Sequence, residues 1–135
     1  MAAPSILIVL HDFALGIADR VELAGYVADI RPWLDTARLF VLASDFEGYP
    51  AVLVEALAAG WPVVATDCTP ATRLLDLAGA GSVVALGNTA ALAEAIARML
   101  DQSPPDPGQL AASVAHHRIG AVAEAYLDLF AVVRA

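Results

Sequence analysis

The sequence predicts an α/β fold in which a doubly wound parallel sheet is followed by a C-terminal helix. Short apolar runs bounded by polar residues indicate strands that are buried on both faces. Segments with helical spacing separate most of these runs, as the crossovers between parallel neighbours require. The predicted strands are residues 5–10, 21–27, 39–43, 61–66 and 82–86.

Composition narrows the classes of function. The chain has 135 residues, the size of one domain, and 59% of them are hydrophobic. Either a partner covers part of the apolar surface, or an alanine-rich coding bias accounts for the high apolar content. The net charge is −8 and all seven basic residues are arginines, which argues against a nucleic-acid partner. The single cysteine, Cys68, excludes an internal disulfide and is typical of a reducing compartment.

The first two predicted strands are close together in the chain. The segment 13–20 between them is too short and too irregular for a comfortable parallel crossover. After the second strand, Asp29 is predicted to cap a short helix over residues 30–36, with Pro32 tolerated in its first turn. This helix leads into the strand at 39–43.

The central helix is predicted to begin at Pro50 and to end before Gly60. Pro50 suits the first helical position, where its missing N–H costs nothing, and Gly60 suits the C′ position. The amides of Ala51, Val52 and Leu53 would then have no partner within the helix. Together with the positive end of the helix dipole, these amides could hold a phosphate.

Glu55 is the only charged residue on this helix and lies on a face of small side chains. That face consists of Ala51, Glu55, Ala58 and Ala59, whereas Leu53, Val54 and Leu57 form the bulky side. A carboxylate on a nearly apolar helix is often buried and then needs hydrogen-bond donors. Three interpretations stay open, which are contact with ligand hydroxyls, a structural hydrogen bond and a solvent-facing helix edge. Gly48, just before the helix, lets a ligand approach the backbone.

The C-terminal half predicts three further helices. Thr69 caps the first, which has Pro70 at its first position and ends near Ala78, and Asn88 or Thr89 caps the second, which runs through Leu100. The last carries an apolar stripe, so we expect it to pack on the sheet or across to a second domain. The stripe consists of Ile119, Val122, Ala123, Tyr126, Phe130 and Val133.

One long motif is similar to a known family. The pattern is Ser44-x-x-Glu47-Gly48-x-Pro50-x-Val52-x-x-Glu55-Ala56-x-Ala58-x-Gly60-x-Pro62-Val63-Val64-Ala65-Thr66-Asp67. It resembles the donor-binding half of the retaining glycosyltransferases with two facing Rossmann-like domains, the GT-B fold of the bacterial group 1 transferases. The family signature is two glutamates with seven residues between them, which Glu47 and Glu55 match.

The resemblance implies a role for each matching residue. Glu55 would hold the ribose hydroxyls of a nucleotide-sugar donor, and Glu47 would be the catalytic residue beside the donor sugar and its reacting centre. The backbone around Gly48, Tyr49 and Pro50 would face the sugar and the diphosphate. The donor is a nucleotide-diphosphate sugar that serves as substrate, so no cofactor is implied.

The next loop matches the family less well. Where the family often has a Gly-Pro pair before an arginine or glutamate, this chain has Thr69-Pro70-Ala71-Thr72-Arg73, so only Arg73 matches as a donor-binding residue.

The resemblance also implies a division of the chain. Residues 1–16 resemble the opening strand and loop of the acceptor-side domain, and residues 17–102 resemble the donor nucleotide-sugar-binding domain. Residues 103–108 are the predicted linker and residues 109–135 the C-terminal helix. An internal deletion joining the two parts at residues 14–16 would explain the missing crossover.

This division leaves three functional hypotheses. The chain belongs to a working transferase whose acceptor surface comes from another chain or a homodimer mate, it binds a nucleotide sugar without turnover, or it is an inactive relict. We do not expect the chain to catalyse transfer alone, because the missing segment is where the family carries its basic phosphate-binding residues.

Other chemistries and locations find less support. His11, His116 and His117 lack metal-ligand spacing, since adjacent histidines on a helix point to different faces, so no metal is expected. No basic residue precedes the N-terminal apolar run and no apolar zone is long enough to span a bilayer, which predicts a cytoplasmic protein. Peripheral contact with a membrane stays open.

Overall fold

A computed structural model of the chain describes residues 6–7, 21–22, 27–29, 31–76 and 79–133. The strands are β1 Ile6–Leu7, β2 Val21–Glu22, β3 Phe40–Leu42, β4 Val63–Thr66 and β5 Gly81–Val84. The α-helices are α1 Arg31–Leu34, α2 Ala51–Ala58, α3 Thr89–Asp101, α4 Pro107–Ser113 and α5 Ile119–Val133. Two 3-10 helices, Pro70–Asp76 and Ala115–His117, complete the described elements.

Three strands form a parallel sheet in the order β3-β4-β5. Phe40 pairs with Val63 in β4, and Val64 pairs with Ser82 in β5. All four residues of β4 are buried, as expected for a central strand covered by helices on its faces. The helix α2 packs on β4, and α3 packs on β4 and β5. The predicted Rossmann-like α/β class is therefore confirmed.

The two N-terminal strands also pair in parallel, with Ile6 opposite Val21. The expectation that their connection is too short for parallel neighbours is therefore wrong. Residues 8–20 join them, which is on the order of the dozen residues that such a connection needs. These residues, and with them the proposed deletion point at 14–16, lie outside the described part of the chain.

The helix caps explain where several elements begin and end. The Asp29 carboxylate accepts a hydrogen bond from the Arg31 amide at 3.0 Å, and the Asn88 side chain accepts one from the Ala91 amide at 3.0 Å. The Asp29 cap was predicted, and Asn88 is one of the two residues, Asn88 and Thr89, that were predicted for the second cap. Gly60 follows α2 with φ +85°, the left-handed conformation that the C′ position favours.

The end of α2 is a Schellman motif. The Trp61 amide donates to the Ala56 carbonyl at 2.9 Å, and the Gly60 amide donates to the Leu57 carbonyl at 3.0 Å. A Cβ on Gly60 would lie 2.6 Å from Cβ of Pro107, the first residue of α4. Gly60 thus serves both the turn and the close approach of α4.

Two sequence predictions need correction. Pro50 is the N-cap of α2 with an extended backbone (φ −75°, ψ 94°), one residue earlier than its predicted place inside the helix. The helix predicted after Thr69 is a 3-10 helix instead of an α-helix. The Thr72 hydroxyl donates to the Thr69 carbonyl at 2.8 Å there, and such side-chain bonds compete with the α-helical pattern. Residues 77–78 lie outside the described residues.

The C-terminal region differs from the single helix expected over 109–135. It begins within the predicted linker, at Pro107, where Asp106 accepts a hydrogen bond from the Gly108 amide at 2.8 Å. It then divides into α4, a 3-10 helix and α5. The Ser113 hydroxyl donates to the Leu110 carbonyl at 2.7 Å at the end of α4, a bond typical of a helix that stops.

The apolar stripe of α5 does not pack on the sheet, contrary to one expected alternative. Its large side chains are exposed to solvent, Ile119 to 90% and Val133 to 77%. Of the helices that the structure describes, none combines the length and the apolar character that crossing a bilayer requires.

The core lies between the sheet, α2 and α4. Its largest fully buried side chains are Leu53, Leu57, Val63, Leu110 and Val114. The helix α2 supplies Leu53 and Leu57 and packs against both β4 and α4. Burial of a leucine of this kind stabilises the fold by about 1.5–3 kcal/mol.

The close approach of β4 and β5 gives a first testable prediction. A Cβ on Gly81 would lie 1.9 Å from the Val63 carbonyl oxygen, so a side chain there must push the two strands apart. We expect Gly81→Ala to lower the free energy of unfolding by about 1–3 kcal/mol or more, measured by urea denaturation. Gly120→Ala is the control, because nothing lies within 4 Å of its Cβ position. A similar loss in both variants would contradict the explanation.

Candidate functional site

Two loops meet at the carboxyl edge of the sheet. The first, which we name the site loop, comprises residues 43–50 between β3 and α2, and it contains Glu47, Gly48, Tyr49 and Pro50. The second, which we name the β4 loop, comprises residues 67–69. Because β3 and β4 are neighbouring parallel strands, their carboxyl ends bring the two loops side by side. Ligands of open α/β sheets bind at this edge.

Three hydrogen bonds connect the backbone of the site loop to the end of β4 and to the β4 loop. The Glu47 amide donates to the Cys68 carbonyl at 3.1 Å, and the Thr69 hydroxyl donates to the Gly48 carbonyl at 3.0 Å. The Thr66 hydroxyl donates to the Ser44 carbonyl. Thr66 and Thr69 are 7% and 5% exposed, so water competes little for these bonds. The end of β4 and the β4 loop therefore restrain the backbone of the site loop at Ser44, Glu47 and Gly48.

The Glu47 side chain is half-buried and held by its own loop. Its Oε1 accepts a hydrogen bond from the Ser44 hydroxyl at 2.7 Å. No hydrogen bond from a described residue reaches Oε2. The structure thus presents one oriented carboxylate at the edge of the sheet, with one oxygen available to a ligand.

Glu55 lies on an exposed face of α2. The small residues around it on that face, Ala51, Ala58 and Ala59, are exposed as well, so the predicted face is confirmed. The carboxylate is not buried, and of the three open interpretations the solvent-facing one describes its surroundings. Short neighbours leave the approach to this carboxylate unobstructed.

The start of α2 offers two amides instead of the predicted three. The Leu53 amide donates to the Pro50 carbonyl at 3.0 Å. Within the described part of the chain, the Ala51 and Val52 amides have no hydrogen-bond partner. The correction follows from Pro50 being the N-cap, because its carbonyl then accepts the first bond of the helix.

Tyr49 makes a contact that the sequence analysis missed. Its hydroxyl lies 3.0 Å from Nδ1 of His117, and the two ring centroids are 5.9 Å apart. His117 is in the 3-10 helix before α5, and its ring lies 4.1 Å from that of His116. Burial, and next the charge of His116, lower the pKa of His117 below its ordinary value. A separation of 68 residues left no local sequence signal for this pair.

Arg73 is the one predicted donor-binding residue that lies outside the site loop and α2. It lies exposed on the 3-10 helix that follows the β4 loop. No hydrogen bond connects its guanidinium to another described residue. The structure places Arg73 on the element that follows the β4 loop.

The described residues offer few other candidate sites. No cluster of three or more His, Cys, Asp or Glu side chains in this part of the chain has the arrangement to hold a metal ion. A cavity of about 250 Å³ lies at the amino end of β5, lined by Gly79, Arg98, Gln102 and neighbouring residues. None of the predicted site residues lines it.

Comparison with known proteins identifies relatives along most of the chain. The family described as "Glycosyl transferases group 1" matches residues 7–102. A lipopolysaccharide core biosynthesis mannosyltransferase of Rhizobium leguminosarum bv. viciae is 38% identical over 84 residues, which cover 62% of this chain and 24% of that protein. A lipopolysaccharide core biosynthesis glycosyltransferase of Rhizobium meliloti (strain 1021) is 33% identical over 132 residues, 90% of this chain and 38% of the relative.

A shorter match has higher identity. A phosphatidyl-myo-inositol mannosyltransferase of Mycobacterium leprae is 46% identical over 54 residues, which cover 40% of this chain and 14% of that protein. The chain therefore spans well under two thirds of the length of each of these relatives.

The bond between the two loops gives a second prediction. Thr69→Val keeps the side-chain volume and removes the hydroxyl that donates to the Gly48 carbonyl. Because the Gly48 carbonyl then loses its buried hydrogen-bond donor, we expect the free energy of unfolding, measured by urea denaturation, to fall by about 1–2 kcal/mol. Thr36→Val is the control, since its hydroxyl donates to the Trp33 carbonyl at an exposed position, and we expect a change within about 0.5 kcal/mol. Equal losses of unfolding free energy in the two variants would contradict a larger contribution from the buried hydrogen bond.

Proposed function

Because the chain belongs to the group 1 glycosyltransferase family, we propose that it binds the donor of a retaining glycosyl transfer, a nucleotide-diphosphate sugar. The observation that carries the proposal is the junction of the site loop and α2 at the carboxyl edge of the sheet. Two carboxylates, Glu47 and Glu55, and two unpaired helix amides lie along this short stretch. The whole stretch falls within the matched residues 7–102.

In this proposal Glu55 binds the ribose. An ionised carboxylate accepts hydrogen bonds with both oxygens, which suits the two neighbouring hydroxyls of a ribose ring. Glu55 is exposed between alanines, so a ring can approach it without displacing a larger side chain.

The diphosphate would lie at the start of α2. The Ala51 and Val52 amides carry the positive end of the helix dipole and are available to phosphate oxygens. Gly48 has nothing within 4 Å of its Cβ position, so a phosphate could approach the backbone there. We propose that Arg73, on the adjoining 3-10 helix, binds the same phosphates. Its long, exposed side chain would have to extend through solvent to reach them.

Glu47 would act at the sugar. Its carboxylate is half-buried and oriented by the Ser44 hydroxyl, so its negative charge is positioned before the donor binds. In a retaining transfer positive charge develops on the sugar as the bond to the phosphate breaks, and a fixed carboxylate stabilises that charge. We propose Glu47 as the catalytic residue on this basis.

The acceptor would be held by a surface beyond this donor site. We propose that a second chain carrying the acceptor domain, or a second copy of this chain, supplies that surface. The exposed apolar side chains of α5 support a partner of this kind. The unpaired, buried thiol of Cys68 is consistent with a reaction in the cytoplasm.

A second candidate function is nucleotide-sugar binding without turnover. It requires only the donor site, and Glu47, Glu55 and the amides at the start of α2, which are proposed for that site, lie on one stretch of this chain. The donor site as proposed is the same for both functions. Transfer of the sugar to an acceptor, measured with and without an added partner chain, separates them.

The ribose contact gives a third prediction. The purified chain is titrated by calorimetry with UDP, GDP and ADP and with their sugar conjugates, beside Glu55→Gln. Because a hydrogen bond to a charged group contributes about 1.5–3 kcal/mol, we expect the variant to bind the preferred nucleotide roughly 10-fold to 100-fold more weakly.

Glu94→Gln on α3 is the matched control for this titration. It removes one negative charge from another exposed helix position, so it should leave binding unchanged or slightly tighter. Absence of binding to every nucleotide would reject the donor site. A loss in Glu94→Gln equal to that in Glu55→Gln would reject the specific role of Glu55.

The role of Glu47 gives a fourth prediction. Since Glu47 is proposed to contact the sugar and not the nucleotide, Glu47→Gln should weaken the nucleotide sugar and leave the nucleotide diphosphate unchanged or tighter. The ratio of the two dissociation constants should change by about 10-fold. Ser44→Ala, which keeps the carboxylate and removes its hydrogen bond, should change this ratio less. Equal weakening of both ligands would contradict the assignment.

A further inference from the structure

We infer that His117 is a positioning residue for the site loop, and that the loop adopts its ligand-binding position only when the C-terminal segment is docked. The contact is the hydrogen bond between the Tyr49 hydroxyl and Nδ1 of His117 at 3.0 Å. The consequence for nucleotide-sugar binding rests on the proposed function, whereas the consequence for the loop itself does not.

Tyr49 needs an external contact to stay in place. The side chain is 57% exposed, so burial does little to select one rotamer. On either side of it the backbone is restrained, by the hydrogen bond to the Gly48 carbonyl and by the fixed φ of the buried Pro50. The imidazole of His117 is the partner that restrains the ring itself, through a hydrogen bond and a tilted contact at 5.9 Å.

His117 is well placed to restrain Tyr49, because the segment 107–117, which begins with α4, runs beside α2 and makes contacts at both ends of α2. At the C-terminal end of α2, Gly60 meets Pro107, the first residue of α4. At the N-terminal end, Tyr49 meets His117, just beyond α4. Between these contacts Leu110 is 2% exposed within the core. The segment 107–117 thus forms a brace along α2, and its far end is His117.

The turn that carries His117 is itself fixed. The His117 amide donates to the Val114 carbonyl at 3.0 Å, and Val114 is 2% exposed. Three titratable groups of the described residues neighbour the imidazole: His116, whose ring is tilted by 42° with its centroid 4.1 Å away, Tyr49, and Arg118, the next residue in the chain. Burial and the charge of His116 lower the pKa of His117, so the imidazole is neutral at pH 7.5 and one ring nitrogen can accept from the Tyr49 hydroxyl.

The test is a double-mutant cycle on Tyr49→Phe and His117→Ala at pH 7.5. The ligand-free readout is amide hydrogen exchange at the site loop, which we expect each single variant to accelerate by about 5-fold. The second readout is the dissociation constant of the preferred nucleotide sugar, which should rise about 3-fold to 10-fold. The double variant should be no worse than either single one, because both remove the same contact.

Two further variants separate positioning from general stability. His116→Ala removes the neighbouring imidazole, which has no hydrogen bond to Tyr49, and should leave site-loop exchange unchanged. His117→Gln keeps a side chain that accepts and donates hydrogen bonds and should restore most of the loss. The rescue also covers the case in which His117→Ala folds poorly.

The outcomes distinguish this inference from the proposed function. If no nucleotide sugar binds the unmodified chain, the proposed function fails and the exchange data alone decide the role of His117. Unchanged exchange at the site loop in Tyr49→Phe and His117→Ala would overturn the inference. Additive losses in the double variant would overturn it as well, because they would mean that the two residues act separately.

Discussion

The burial of one face of α2 determines the geometry of the whole site. Leu53, Ala56 and Leu57 have no exposed surface, and they fix the helix between the sheet and α4. This packing sets the direction in which the site loop enters the helix and leaves Glu55 on the opposite, exposed face. A shift of α2 would move the Glu55 carboxylate and the helix amides together, because all of them belong to the same short rigid helix.

Sequence reasoning succeeded where a residue acts on its immediate neighbours. The apolar run of β4, the caps at Asp29 and Asn88 and the left-handed glycine at position 60 each follow from the chemistry of a few adjacent residues. The grouping of small residues around Glu55 on one helix face was also predicted, since it depends only on the period of a helix, whereas the exposure of that face was left open.

Sequence reasoning failed where a side chain replaces a backbone hydrogen bond of a helix, and where two residues far apart in the sequence contact each other. A bond from Thr72 to the Thr69 carbonyl favours a 3-10 helix, and a bond from Ser113 to the Leu110 carbonyl accompanies the end of α4. Neither competition has a reliable sequence signature. The pairing of Tyr49 with His117 depends on how α4 packs against α2, which no local pattern encodes. The high apolar content is explained in part by large exposed side chains on α5, which an alanine-rich coding bias does not supply.

The contacts of the site loop differ widely in sequence separation, and this has a consequence for synthesis on the ribosome. Thr66 and Thr69 lie 22 and 21 residues from their partners, whereas His117 lies 68 residues from Tyr49. Closing a longer loop costs more entropy, and residues 107–117 are synthesised after the site loop and the β4 loop. The nascent chain can therefore form the hydrogen bonds between the site loop and the β4 loop early. The brace is added later to a loop whose backbone is already restrained, so the synthesis of residues 107–117 marks the moment at which the Tyr49 side chain gains its partner.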